Sequence, residues 1–176
     1  MNLNLFKTSY FLIIILIFLS CKEEPKPKKE RVVTKKEMVD YNRKSVRMEA
    51  DQIEKYISRR GWKMNQTGSG LNYMIYQSSG EIIHPKENDK VYVNYTVSLI
   101  NGKTIYKSDS TNLASFIVGH DEVESGLQEG IKFMAPGDKA KMIIPSHLAH
   151  GYTGDFNKIP RYSTVIFDIH LVQIND

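Results

Sequence analysis

Residues that could act as nucleophiles or metal ligands are poorly arranged for that chemistry in this chain. The single cysteine, Cys21, ends an apolar N-terminal run, and there is no Gly-x-Ser-x-Gly turn to expose a serine nucleophile. Ser146, His147 and His150 lie close together in sequence, but polar residues often cluster in loops. The two histidines could share a helical face, yet a zinc site needs a third ligand, and none lies at suitable spacing. We therefore expect a site without a covalent nucleophile, metal or cofactor.

The sequence instead offers aromatic and branched apolar residues beside predicted turns and strand ends. Such side chains can line an apolar pocket, but each is equally typical of an ordinary domain core. In chain order they are Asn94-Tyr95-Thr96, Phe116-Ile117-Val118-Gly119, Val123-Glu124-Ser125-Gly126-Leu127, the run AHGYTG (149–154), Ile159-Pro160 and Val165-Ile166-Phe167-Asp168.

The elements that would position these residues are mostly short strands. Alternation of apolar and polar residues predicts strands, Asn101-Gly102 is a hairpin turn signal, and one short helix is predicted at 122–134. This pattern is typical of an α+β fold, an antiparallel sheet with a helix across one face. The predicted strands are 62–65, 71–76, 91–97, 104–106, 114–118, 139–144 and 164–174.

A longer helix is predicted before this domain. Residues 34–60 contain neither Pro nor Gly, Thr34 and Glu37 fit a capping box, and Gly61 suits the C-terminal end. A break near Tyr41-Asn42 is one alternative to a continuous helix. Its apolar stripe packs either on the domain or on a second copy of the chain: Val39, Val46, Ala50, Ile53 and Ile57.

The distribution of charge argues against a nucleic-acid-binding domain. Residues 22–60 hold 13 Lys and Arg against 8 Asp and Glu, whereas residues 61–176 hold 10 against 12. The basic character therefore belongs to the arm, and a nucleic-acid binder is expected to carry it on the folded domain. Such an arm either lies near anionic lipid headgroups or serves as a solvated spacer.

The N-terminus predicts export and lipid attachment. Lys7 precedes the apolar run YFLIIILIFL (10–19), which is too short to span a bilayer as a helix and is typical of a signal peptide. Phe18-Leu19-Ser20-Cys21 resembles a bacterial lipoprotein signal, so we expect Cys21 to be lipidated. This divides the chain into a signal peptide (1–20), a tether (21–33), a helical arm (34–61) and a domain (62–176).

The order and spacing of several motifs resemble the FK506-binding (FKBP-type) peptidyl-prolyl cis-trans isomerases. The likeness covers residues 90–174 and is carried by NGK (101–103), SGLQEGI (125–131), PGDKAKMIIP (136–145), AHGYTG (149–154) and VIFDIHL (165–171). The resemblance implies an FKBP-like twisted sheet with one short helix. The lipoprotein signal, IEKYISRRGW (53–62) and GSGLNYMIY (68–76) further resemble the gliding-motility-associated lipoproteins of this family.

The resemblance also implies a set of site residues. An apolar cup, the name used here for six residues, would hold the proline ring: Tyr95, Phe116, Val123, Leu127, Ile159 and Phe167. The backbone N–H of Glu124 would face the substrate carbonyl, and His150 takes the place of a tyrosine donor. Tyr106, Asp109 and Tyr152 are further candidates.

Several positions depart from the family pattern. Leu127 replaces the usual tryptophan floor, Ala114 replaces an aromatic residue, and the family's acid is not at its expected place, with Asp109 as a substitute. The resemblance implies an isomerase that assists exported, motility-related proteins and binds proline-containing polypeptides. The alternative is a weakly catalytic chaperone or a structural subunit of a motility complex. Self-association through residues 34–60 and contacts with motility proteins are further expectations.

Overall fold

A computed structural model describes residues 33–109, 111–120 and 122–175 of the chain. The predicted signal peptide, Cys21 and the tether up to residue 32 lie outside this part. Among the described residues, no helix is both long and apolar enough to cross a bilayer. The chain divides into two compact units, Met1–Met38 and Val39–Asp176.

The predicted N-terminal helix is present as α1 and covers Lys35–Arg60. It begins with the expected capping box, in which the Thr34 N–H donates to Glu37 Oε2 (2.9 Å) and the Glu37 N–H donates to Thr34 Oγ1 (3.2 Å). The helix runs through Tyr41 without a break and stops at Gly61, whose φ of +63° suits a glycine. Both predicted end signals are therefore confirmed.

The domain is built on a twisted antiparallel sheet, as predicted. Its strands are β1 Asn65–Gln66, β2 Asn72–Gln77, β3 Lys90–Leu99, β4 Thr104–Lys107, β5 Ala114–Ile117, β6 Lys139–Ile144 and β7 Val165–Asn175. They are paired in the order β1-β2-β6-β7-β3-β4. Strand β5 also pairs with β3. The second helix, α2, covers Ser125–Ile131, and a short 3₁₀ turn covers Ser146–Leu148.

The two faces of the sheet carry separate apolar clusters. Alternate residues of β7, including Phe167, join the main core with Leu127 and Ile131 of α2. Ile166 points to the opposite face, because successive side chains of a strand alternate. There it packs with Ile53 and Tyr56 of α1. The part of α1 that lies in the second unit therefore covers this face of the sheet.

The structure differs from the sequence-based expectations at three elements. The strand predicted at 62–65 occurs as the two-residue β1 at Asn65–Gln66. The helix predicted at 122–134 is reduced to Ser125–Ile131, because Glu124 is extended, with φ −54° and ψ 133°. The 3₁₀ turn was not predicted from the sequence.

The packing of Ile53 and Tyr56 joins the arm to the domain. That residues 62–176 fold without the arm stays a prediction.

Candidate functional site

The middle of the cup is formed by the two longest strands, β3 and β7. Val97 pairs with Phe167, and Tyr95 pairs with Ile169 two residues along, so Tyr95 and Phe167 lie on the same face of the sheet. The centroids of their rings are 5.9 Å apart, with the planes tilted by 46°. Phe167 is 3% exposed, whereas Tyr95 is half-buried. The sheet thus supplies one deep ring and one ring nearer to solvent.

The floor of the cup comes from α2, which lies unusually close to β6. A Cβ on Gly130 would be 2.5 Å from the Met142 sulfur, and a Cβ on Gly126 would be 2.4 Å from Ile144 Cγ2. Only glycine allows this approach without moving the core residues. Leu127, between these glycines, is 5% exposed and belongs to the main core.

The remaining cup residues come from β5 and from two loops. Phe116 on β5 and Ile159 in the loop before β7 are buried, at 5% and 3% exposed. Val123, just before α2, is partly buried and packs against the same core cluster, as Tyr95 does. The structure therefore brings all six predicted cup residues into one apolar cluster, although they span residues 95–167 in sequence.

Glu124 and His150, which we call the rim, also lie together, and a hydrogen bond joins their side chains. The imidazole Nε2 of His150 lies 2.9 Å from Glu124 Oε1, and because an ionised carboxylate only accepts, Nε2–H is the donor. The side chains are 29% and 14% exposed, respectively. This hydrogen bond joins the loop before α2 to the loop after β6. It fixes the ring of His150 beside the residue whose backbone N–H was predicted to face the substrate.

A second polar pair, which the sequence did not reveal, ties β4 to the loop that carries Ile159. The hydroxyl of Tyr106 donates to Asp155 Oδ2. The other carboxylate oxygen, Oδ1, accepts the N–H of Ile159 at 2.7 Å and the N–H of Asn157 at 2.9 Å. Asp155 therefore holds both the position of a cup residue and the hydroxyl of Tyr106.

The surroundings of Asp155 keep its carboxylate ionised at neutral pH. Burial alone would raise the pKa of the Asp155 carboxyl, but it is outweighed. Hydrogen bonds from Tyr106 and from the N–H groups of Asn157 and Ile159, together with nearby His150, lower that pKa to about 2. The same hydrogen bond raises the pKa of the Tyr106 phenol. At neutral pH the pair is thus a carboxylate accepting from a neutral phenol.

Two candidates from the sequence lie apart from this arrangement. Asp109 is exposed, and its Oδ1 accepts the N–H (2.8 Å) and hydroxyl (2.7 Å) of Thr111 in its own loop. Those bonds lower the pKa of Asp109. Tyr152 is 63% exposed, with its ring edge-on to Tyr162 at 5.7 Å. The carboxylate bonded to the loop of Ile159 is that of Asp155, and a role for Asp109 in place of the family's acid stays a prediction.

The contribution of Asp155 was hidden because its side-chain partner, Tyr106, is far away in sequence. Residues 154–157, Gly-Asp-Phe-Asn, are of types common in turns, but nothing in the sequence links them to Tyr106, 49 residues before Asp155.

Two further residues of this region belong to or contact the main core. Ile105 is part of the core, and Ala114, at the position where the resemblance implies an aromatic ring, packs against the core. Within the described ranges, no group of three or more His, Cys, Asp or Glu residues could hold a metal ion.

Comparisons with known proteins agree with this geometry. The sequence pattern of the FKBP-type peptidyl-prolyl cis-trans isomerase family matches residues 82–172. FkpA of Escherichia coli K12, an FKBP-type isomerase by name, is 36% identical over 121 residues, which cover 69% of this chain and 43% of FkpA. FK506-binding protein 2 of Dictyostelium discoideum is 37% identical over 94 residues, covering 53% of this chain and 71% of that protein.

The fold gives the same result. The crystal structure of Escherichia coli FkpA superposes with a TM-score of 0.64 at 31% identity, covering 79% of this chain and 64% of FkpA. The chain spans less than half the length of the FkpA sequences that it matches. With the family pattern matched across the cup and rim, the chain belongs to the FKBP-type peptidyl-prolyl cis-trans isomerase family.

Proposed function

We propose that this protein is a peptidyl-prolyl cis-trans isomerase whose cup binds the proline ring of its substrates. The observation that carries the proposal is the assembly of the six cup residues, from three strands, one helix and two loops, into a single apolar cluster beside a polar rim. Membership in the family supports the same activity.

The chemistry needs no covalent step. Rotation about a peptide bond is slow because resonance gives a barrier of about 18–20 kcal/mol, and bonds before proline isomerise in tens of seconds to minutes. An apolar cup strips water from the amide, and the twisted transition state, with less charge on its carbonyl oxygen, tolerates that environment better than the planar ground state. Catalysis then comes from desolvation and differential binding.

The rim would orient the substrate chain across the cup. Glu124 leads into α2 with an extended backbone, and its carboxylate lies against the ring of His150. In this proposal the Glu124 N–H meets the substrate carbonyl, while the His150–Glu124 hydrogen bond keeps the rim from closing over the proline ring. Asp155, which accepts the hydroxyl of Tyr106, holds the backbone of Ile159 in place.

The test is the rate of cis-to-trans isomerisation of a short prolyl peptide, followed with the full chain in detergent. We expect acceleration that saturates with peptide and is lost in Phe167→Ala. A folded wild-type protein that leaves the uncatalysed rate unchanged would refute the activity.

The second candidate function is that of a chaperone or structural subunit with little catalysis. It is favoured by Leu127, which gives the floor less aromatic area than the family's tryptophan. Suppression of aggregation of an unfolded, proline-free protein, at concentrations where peptide isomerisation is not accelerated, would identify this function.

Location and partners form a further part of the proposal. Lipidation of Cys21 would anchor the protein to the outer membrane, on its periplasmic or surface face, where it would meet proline-containing exported proteins, including components of the gliding machinery. Self-association through α1 is supported by the exposure of large apolar side chains in its first half: Met38, Val39, Tyr41, Val46 and Met48.

A further inference from the structure

A carboxylate of the N-terminal helix reaches the loop that carries His150. Glu49, in the middle of α1, accepts the backbone N–H of Ser146 on Oε1 at 2.7 Å and the Ser146 hydroxyl on Oε2 at 2.9 Å. The hydroxyl of Thr164 donates to Oε1 at 2.6 Å. One side chain of the arm therefore holds the start of the 3₁₀ turn and the residue directly before β7.

Ser146 passes this contact on to the rim. Its carbonyl oxygen accepts the N–H of Ala149 at 3.1 Å and the N–H of Gly151 at 2.8 Å. These two residues flank His150, so the backbone of His150 is held on both sides by the residue that Glu49 binds. The imidazole of His150 in turn forms the hydrogen bond to Glu124 in the rim. A continuous set of hydrogen bonds thus connects α1 with the rim.

The contact cannot be broken without consequence for the loop. Ser146 and Thr164 are 6% and 5% exposed, so their donors have little access to water. A buried donor that loses its acceptor destabilises the folded protein by the free energy of its desolvation. If Glu49 is removed, the loop is therefore expected to move until these donors find other acceptors. Ile53 and Tyr56, one and two turns further along α1, are packed on the sheet and hold the helix in place.

We infer that Glu49 is a positioning residue for the isomerase site, acting through Ser146 on His150. Docking of α1 and the arrangement of the rim are consequently coupled, and a change that lifts the helix from the sheet would weaken catalysis without touching the cup. The inference rests on the proposed isomerase function. If it is correct, the helical arm contributes to catalysis, although the sequence analysis treated the arm as separate from the isomerase domain.

The test is a double-mutant cycle between Glu49 and His150, two residues that act on each other only through the loop. Values of kcat/KM for prolyl-peptide isomerisation are measured with the full chain for wild type, Glu49→Ala, His150→Phe and the double variant. We expect Glu49→Ala to lower kcat/KM about fivefold in the wild-type background, within the range of couplings between linked sites, and less than about twofold in His150→Phe.

Two further variants separate positioning from general destabilisation. Glu49→Gln keeps the shape and one acceptor oxygen, so its kcat/KM is expected to lie between those of wild type and Glu49→Ala. Asp51→Asn removes an exposed carboxylate from the same helix and is expected to match wild type. Thermal unfolding shows whether each variant is folded at the assay temperature. An equal loss from Glu49→Ala in both His150 backgrounds would overturn the inference.

An independent measurement keeps the inference testable if the protein proves inactive. The backbone amide resonances of His150 and Gly151 are compared by NMR in wild type, Glu49→Gln and Asp51→Asn. We expect them to shift in Glu49→Gln alone. Unchanged resonances in a folded Glu49→Gln protein would refute the coupling, whereas an inactive wild type with shifted resonances would refute only the proposed function.

Discussion

Replacing Asp155 by asparagine should loosen the loop that carries Ile159 into the cup. The carboxylate accepts three hydrogen bonds, from the Tyr106 hydroxyl and from the N–H groups of Asn157 and Ile159. An asparagine side chain offers one oxygen in place of two and carries no charge. At least one of the three donors must therefore find another acceptor.

The expected loss of stability can be worked out in two ways. Hydrogen bonds to charged groups contribute about 1.5–3 kcal/mol each, and since asparagine keeps one acceptor, we expect a net loss of about 1–2 kcal/mol at pH 7. The depression of the Asp155 pKa from 3.8 to about 2 corresponds to at most about 2.5 kcal/mol. Partial exposure of the carboxylate reduces this to about 1 kcal/mol.

The pH dependence has a definite sign. Because the pKa of Asp155 is lower in the folded than in the unfolded protein, its contribution is fully present above the unfolded value, near pH 4. It is lost as the pH falls toward 2. The difference in unfolding free energy between wild type and Asp155→Asn should therefore be constant above about pH 5 and shrink between pH 4 and pH 2.

The assay is urea denaturation at a series of pH values, with isomerase activity measured alongside at pH 7. We expect Asp155→Asn to lower kcat/KM through displacement of Ile159. The matched control is Asp109→Asn, which removes an exposed carboxylate bonded to Thr111 within its own loop and should leave activity unchanged. A pH-independent stability difference, or equal loss of activity in the two variants, would refute the reasoning.

Three further predictions concern the cup, the rim and the anchor. Phe167→Ala should lower the free energy of unfolding by about 3–5 kcal/mol, as removal of a buried phenylalanine does, and abolish most activity. Phe167→Tyr should retain more of both, and near-wild-type activity in a folded Phe167→Ala protein would exclude this ring from the site. His150→Tyr should tighten binding of macrolide inhibitors, measured by titration, because it places the family's phenol at the rim; unchanged affinity would remove His150 from the pocket. Cys21→Ser should move the protein out of the membrane fraction in detergent partitioning, and an unlipidated wild type with the same partitioning would contradict the anchor.

Local sequence patterns were sufficient for most of the fold. Alternation predicted β6 at its observed bounds, and the Thr34–Glu37 pair predicted the start of α1. These signals depend only on residues a few positions apart, so they can be read from the sequence without knowing the tertiary structure. The six cup residues were found in another way, through motif order, because their separate positions are equally typical of core.

Contacts between distant loops could not be predicted in this way. Asp109 was the acid considered from the sequence, whereas the carboxylate bonded to Tyr106 is that of Asp155, 49 residues away. The reach of Glu49 to Ser146 and Thr164 depends on how α1 lies on the sheet. The shortening of α2 reflects the extended backbone of Glu124, which places its carboxylate against His150. In each case the bonded residues are distant in sequence, so local patterns could not predict the contact between them.

The position of β7 in the sheet constrains the order in which the chain can fold. In the described part of the chain, β7 comes after the other six strands, yet it lies between β6 and β3 and pairs with each along most of its length. During vectorial synthesis, β3 and β6 emerge before β7, and each has one edge without its final partner, which is open to pairing with other chains. The Thr164 hydroxyl that binds Glu49 also arrives at this stage. The eleven-residue strand β7 therefore completes the sheet, the face that α1 covers and the cup. Until β7 is synthesised, the nascent chain exposes strand edges and apolar surface, which favour aggregation.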